Sequence, residues 1–311
     1  MNTLNKSISI IEPVNEALEK TKILLFKPFN LEKWFIIGFC AWLAGLFQES
    51  SGSGFRFNFN NKGDFDKLQL PASTLDFCKT HIVLIVLASI AAVALVAAVM
   101  LVLLWLSSRG KFMFLDCLAK NKAHIIEPWK TFRKQADGLF GFRLLVIAAA
   151  IICMIPIGIL IVWLLSLLKS GDADAATAAM MFFVMILVIF TAVSFFGTVQ
   201  VLAFDFVMPI MYLRRIGVFT AWGKFLPLLW QNFWRIMLYL LFKVLILLCI
   251  GAIVLAMIVL GCCFCCISVI LLIPYIGTVI LLPLSSFYRL YALCYLRQFG
   301  SEYDVFLSVA Q

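Results

Sequence analysis

Long uncharged apolar runs alternate with short charged segments along most of the chain. A helix that crosses a bilayer needs about 20 mainly apolar residues, each adding about 1.5 Å. Residues 82–106 carry no charge over 25 positions. Residues 144–168 and 178–204 are equally apolar, separated by the short polar turn Lys169-Ser170-Gly171-Asp172-Ala173-Asp174. From 236 to 296 the chain stays largely apolar, too long for one helix. Gly261, the cysteines behind it and Pro274 mark a turn, which predicts two spans, 236–260 and 267–288. The shortest run, 34–47, crosses only if its flanks extend it to 31–49. The pattern therefore predicts an all-α polytopic membrane helix bundle of about six transmembrane helices, forming a single integral membrane domain over 1–311. An outer loop at 48–80 contains Phe55-Arg56-Phe57-Asn58-Phe59, which alternates as a short strand does.

Composition supports the same class. Of 311 residues, 64% are hydrophobic and 13% charged, whereas a soluble domain is roughly half apolar and about a quarter charged. A soluble fold of this size would leave much of that apolar surface in water. The formal charge of +9 does not indicate a nucleic-acid partner, because the basic residues lie between the spans. They report orientation: the expected inner segments hold 19 of the 25 Lys and Arg, while 48–80 and 169–177 hold five. Both termini are expected on the cytoplasmic side. The first 30 residues mix charges with short apolar stretches, so no cleavable signal peptide is expected.

A repeat links two inner segments. Pro128-Trp129-Lys130-Thr131-Phe132, leading to Leu139-Phe140-Gly141-Phe142, matches Ala221-Trp222-Gly223-Lys224-Phe225, leading to Asn232-Phe233-Trp234. The offset of 93 also pairs Leu145 with Leu238 and Gly158 with Gly251. A looser copy opens the chain at Glu12-Pro13-Val14. The repeated unit reads as an interfacial amphipathic helix followed by a helical hairpin. In 107–143, expected as a cytoplasmic amphipathic segment, aromatic residues oppose Lys130, Arg133 and Lys134. That composition suits the anionic lipids of the inner leaflet.

Charges within spans are costly unless paired or wet, which makes them functional candidates. Lys243 lies eight residues beyond Arg235, about 12 Å deeper along its helix. Asp205 ends the fourth span and Arg289 lies near the inner end of the sixth. The three are read as a polar site or proton relay; the alternative is that Lys243 snorkels to the interface. Cys262, Cys263, Cys265 and Cys266 have the spacing of a redox or metal cluster, against the simpler reading of small residues packing at a tight turn. No Gly-rich phosphate loop, G-x-S-x-G elbow or H-E-x-x-H motif is present. The expectation is no enzymatic activity and no cofactor.

Several motifs together resemble a family: Ser108-Arg109-Gly110-Lys111-Phe112-Met113-Phe114-Leu115-Asp116, Leu139-Phe140-Gly141-Phe142-Arg143-Leu144, Asp205-Phe206-Val207-Met208-Pro209-Ile210-Met211, Pro274-Tyr275-Ile276-Gly277-Thr278-Val279 and Leu296-Arg297-Gln298-Phe299-Gly300. Across most of 105–303 the chain resembles uncharacterised bacterial membrane proteins of unknown function. It is also distantly similar to the membrane domain attached to some glycerophosphodiester phosphodiesterases. The resemblance implies a multi-pass bundle of the bacterial inner membrane and brings no activity with it. The expected role is a membrane scaffold or accessory subunit with lipid and membrane-protein partners. The rival is a small transporter or channel built on Asp205, Lys243 and Arg289.

Overall fold

In a hydrocarbon layer every backbone amide must be satisfied within its own segment, so apolar runs of this length fold as helices. A computed structural model describes residues 9–46, 81–170, 175–263 and 273–307, and every regular element among them is helical. In chain order these are α1 (Glu12–Phe26), α2 (Leu31–Gly45), α3 (Ile82–Lys120), α4 (Ile126–Thr131), α5 (Arg133–Ser170) and α6 (Ala175–Leu202). A π turn (Ala203–Val207) joins α6 to α7 (Met208–Arg214); α8 (Val218–Gln231), α9 (Phe233–Cys263), α10 (Pro274–Ile280) and α11 (Leu282–Arg297) follow.

Among the described residues, four helical stretches are long and apolar enough to cross a bilayer: Val86–Lys120, Arg133–Trp163, Ala179–Arg214 and Phe233–Leu260. They contain most of four expected spans, 82–106, 144–168, 178–204 and 236–260. The other two expected spans, 31–49 and 267–288, run partly outside the described residues, and their described parts hold no helix of that length, so four of the six expected spans are found among the described residues. α2 has 15 residues, about 22 Å, short of the ~30 Å hydrocarbon thickness. The stretch from Ile273 is split at Leu281 into two helices. Pro283 contributes to that break, having no N–H to continue the ladder. Residues 47–80, with the expected outer loop and its aromatic strand, lie outside the described residues, as do 264–272.

α3 explains how the molecule is layered. Its 39 residues extend roughly 58 Å, nearly twice the hydrocarbon thickness. From 83 to 102 it is exposed on almost every side, and from 107 to 119 every residue is buried. Residues 107–120 are thus a continuation of α3, enclosed by other helices, and not part of a surface-lying amphipathic segment. Ser107, Ser108, Arg109, Lys111 and Asp116 are all buried there.

α2 runs antiparallel along this buried half. Asn30 caps α2 by accepting from the Glu32 and Lys33 amides, satisfying two of the orphan donors at its start. Lys33 Nζ donates to Asn121 Oδ1 at 2.7 Å at one end, and Ser107 Oγ to the Ala44 carbonyl at 2.9 Å at the other. The two backbones meet at Gly110, where a Cβ would lie 2.6 Å from both the Ala44 nitrogen and the Leu43 carbonyl carbon. Only glycine fits so close an approach.

The core sits at this end of the bundle and is rich in aromatic pairs. Phe132 stacks between Phe112 and Tyr212 at 5.9 and 4.7 Å, Phe206 on Phe225 at 5.0 Å, and Tyr239 between Tyr291 and Tyr295 at 5.6 and 4.4 Å. The far halves of α3, α5, α6 and α9 present Leu95, Ile152, Phe190 and Leu255 outward. In the two segments read as repeats, Phe132 and Phe225 are both buried. The helix break falls at Phe132 in the first and at Asn232 in the second, about two turns later in the aligned register.

Candidate functional site

The site begins with a local irregularity. Pro209 has no N–H to offer the Asp205 carbonyl four residues earlier, and its ring would crowd that oxygen in a regular α-helix. The helix widens instead into the π turn, where the Met208 amide donates to the Ala203 carbonyl five residues back. Single π turns of this kind recur at functional sites. Here the turn holds Asp205, 2% exposed.

α9 faces it. Ile236, Tyr239, Lys243 and Ile246 recur at helical spacing and are all buried, which puts Lys243 on the core side of its helix. Lys243 does not snorkel. Its Nζ pairs with Asp205 Oδ2, and the Tyr239 hydroxyl donates to the same oxygen at 3.0 Å. Arg289, from α11, brings Nη1 to 3.4 Å from Asp205 Oδ1 and Nη2 to 3.3 Å from Met208 Sδ. Tyr288 lies under Lys243, its ring centroid 4.3 Å from Nζ. The structure therefore brings Asp205, Lys243 and Arg289, from three different helices, around one carboxylate.

Two further cations belong to the same region and sequence reasoning placed both elsewhere. Lys111 is buried on α3, with Nζ 3.3 Å from the Phe204 ring centroid. Arg143, on α5, is buried as well and lies over the same ring at 5.4 Å. It donates to Ser108 Oγ at 3.1 Å and Ser107 Oγ at 3.3 Å. The signal that could have found Lys111 is its setting in Ser107-Ser108-Arg109-Gly110-Lys111. Small residues at close spacing mark a helix–helix contact and not a solvated face.

Lys111, Asp205, Lys243, Tyr288 and Arg289 line a cavity of about 60 Å³, several times the minimum that one water needs. Ala41, Ala44 and Gly45 of α2 form a wall of small residues. Lys111, Asp205, Lys243, Thr278, Ser285 and Arg289 supply polar atoms. A separate cluster near α4 is closed on itself. Arg109 lies between the rings of Trp105 and Trp129, at 4.4 and 4.8 Å, and donates to both oxygens of Asp137 at 3.1 and 3.3 Å.

Cys262 and Cys263 close α9, their side chains undescribed, and Cys265 and Cys266 lie outside the described residues. Among the described residues no group of three His, Cys, Asp or Glu side chains is placed to hold a metal ion.

A model of a family of unknown function, DUF7544, matches residues 8–278. The matched stretch includes Lys111, Asp205 and Lys243, and ends before Arg289. No curated protein and no solved structure matches the chain.

Proposed function

Because the chain belongs to DUF7544, a family of unknown function, its role has to be read from its own residues, and we propose that it binds a small polar solute inside a membrane-embedded bundle, as a transporter or channel does. The observation that carries this reading is the charged cavity, whose lining includes Lys111, Asp205, Lys243 and Arg289. A scaffold does not require such a feature: buried charges cost several kcal/mol each before pairing, and apolar residues of similar volume often pack as stably. The reading places the protein in the bacterial inner membrane, both termini cytoplasmic and the packed end inward. The Lys and Arg bias of the expected inner segments supports that orientation.

Gly45→Cys tests it. Gly45 lines the cavity, and a Cβ built there meets nothing within 4 Å, so a thiol fits without moving α2. In sealed vesicles a small membrane-impermeant thiol reagent is expected to modify residue 45 from the cytoplasmic side, detected by peptide mass spectrometry. No modification from either side would mean a dry, packed centre and would return the protein to the scaffold class.

A further inference from the structure

We propose that the solute is a small oxyanion of the phosphate class, held by Lys111, Lys243 and Arg289; this rests on the cavity being a binding site. The first argument is charge. The cavity lining holds three cations and one carboxylate, a formal excess of two positive charges. The excess belongs to the lining as a whole. In a low-dielectric interior a small anion placed among these cations is held strongly, because the desolvation of each ion is repaid by a well-placed partner of opposite charge.

The second argument is selectivity. A cationic solute would meet three like charges at close range. A neutral one would leave the excess standing. A phosphate or phosphomonoester carries between one and two negative charges near neutral pH, which brings the lining close to balance. Its tetrahedral oxygens also suit donors converging from different directions. Lys111 comes from α3, Lys243 from α9 and Arg289 from α11. Hydroxyls from Thr278 on α10 and Ser285 on α11 line the same space. Lysine binds phosphate as a point charge, while arginine offers a planar fork that can engage two oxygens. Asp205 then has a positioning role: its two oxygens hold Lys243 and Arg289, while Lys111 lies against the ring of Phe204.

Phosphate of this kind occurs free in water and as a lipid headgroup, and the experiment separates the two. Full-length Gly45→Cys protein is placed in phosphatidylcholine nanodiscs, and the rate of thiol modification at residue 45 is measured. One arm adds inorganic phosphate, against potassium chloride at equal ionic strength. The other adds phosphatidic acid to the disc and omits free phosphate. Slowing by free phosphate supports the inference with an aqueous source; slowing by phosphatidic acid alone supports it with a lipid source. In either arm Lys111→Met should raise the concentration needed for half-protection about tenfold or more, as expected for losing a charged hydrogen-bond donor, and Lys111→Arg should restore most of it. Arg289→Gln serves as the second variant should Lys111→Met not fold. Modification at residue 45 that neither ligand slows, or protection unchanged in the variants, overturns the oxyanion assignment and leaves the cavity reading standing. Absence of modification removes the cavity reading and this inference with it.

Discussion

Asp205→Asn should destabilise this protein more than the loss of either cation it holds. The carboxylate is the charge that the side chains of Lys243 and Arg289, 5% and 13% exposed, both face. The amide keeps the shape and one acceptor oxygen but leaves two buried cations without their counter-charge. Removing one partner of a buried pair costs about 3–5 kcal/mol. At about 2–4 °C per kcal/mol, an upper guide for a chain of this length, Tm should fall by on the order of 10 °C. Lys243→Met should cost less, because Asp205 retains Arg289 and the methionine stem still lies over Tyr288. The Asp205→Asn, Lys243→Met double variant should be clearly more stable than the sum of the single effects predicts, by about 1 kcal/mol or more, as for residues in direct contact. The measurement is thermal unfolding in detergent without phosphate, followed by tryptophan fluorescence and size exclusion. An Asp205→Asn protein within a degree of the parent, or a strictly additive cycle, would refute the assignment of Asp205 as the central counter-charge.

Three other outcomes are expected. Gly110→Ala should lower Tm through overpacking worth about 1–3 kcal/mol, because its Cβ meets the backbone of α2, while Gly45→Ala leaves Tm unchanged; equal tolerance at both positions would count against the α2–α3 contact. Arg109→Lys should cost about 1–3 kcal/mol by losing the two-oxygen contact with Asp137 and the stacking between two indoles, read as a lower Tm with a red-shifted tryptophan emission. Asn60→Cys and Lys122→Cys should be modified by an impermeant reagent from opposite sides of the membrane, and modification from the same side would overturn the expected orientation.

What the sequence made legible follows from what hydropathy measures. Uncharged runs such as 82–106 and 144–168 announce themselves because an average over 20 residues is enough to identify a membrane-compatible helix. Asp205, Lys243 and Arg289 stood out for a related reason: each interrupts an apolar run, so its cost is visible one residue at a time. Lys111 and Arg143 were hidden because they sit among other charges, where burial and exposure look alike in one dimension. Only the packing of α2 against Gly110, and of α5 beside Ser107 and Ser108, turns those charges inward. The same limit affected the weak spans. The run 31–49 has the composition of a membrane segment, and its described helix α2, 15 residues long, is matched in length to the buried half of α3.

The π turn has a consequence for how this chain tolerates changes in length. It is one residue longer than the α turn it replaces, so α6 and α7 are out of step by that residue. The face α6 shows to its surroundings and the face α7 shows to the core are set by that single insertion. Deleting one residue between 203 and 207 would hardly alter composition, hydropathy or helix length. The shortened segment would have to close as an ordinary α turn, which sets the Pro209 ring against the carbonyl four residues before it and removes the widened turn that presents Asp205. Conservative by every measure of content, such a deletion would be severe in local geometry alone.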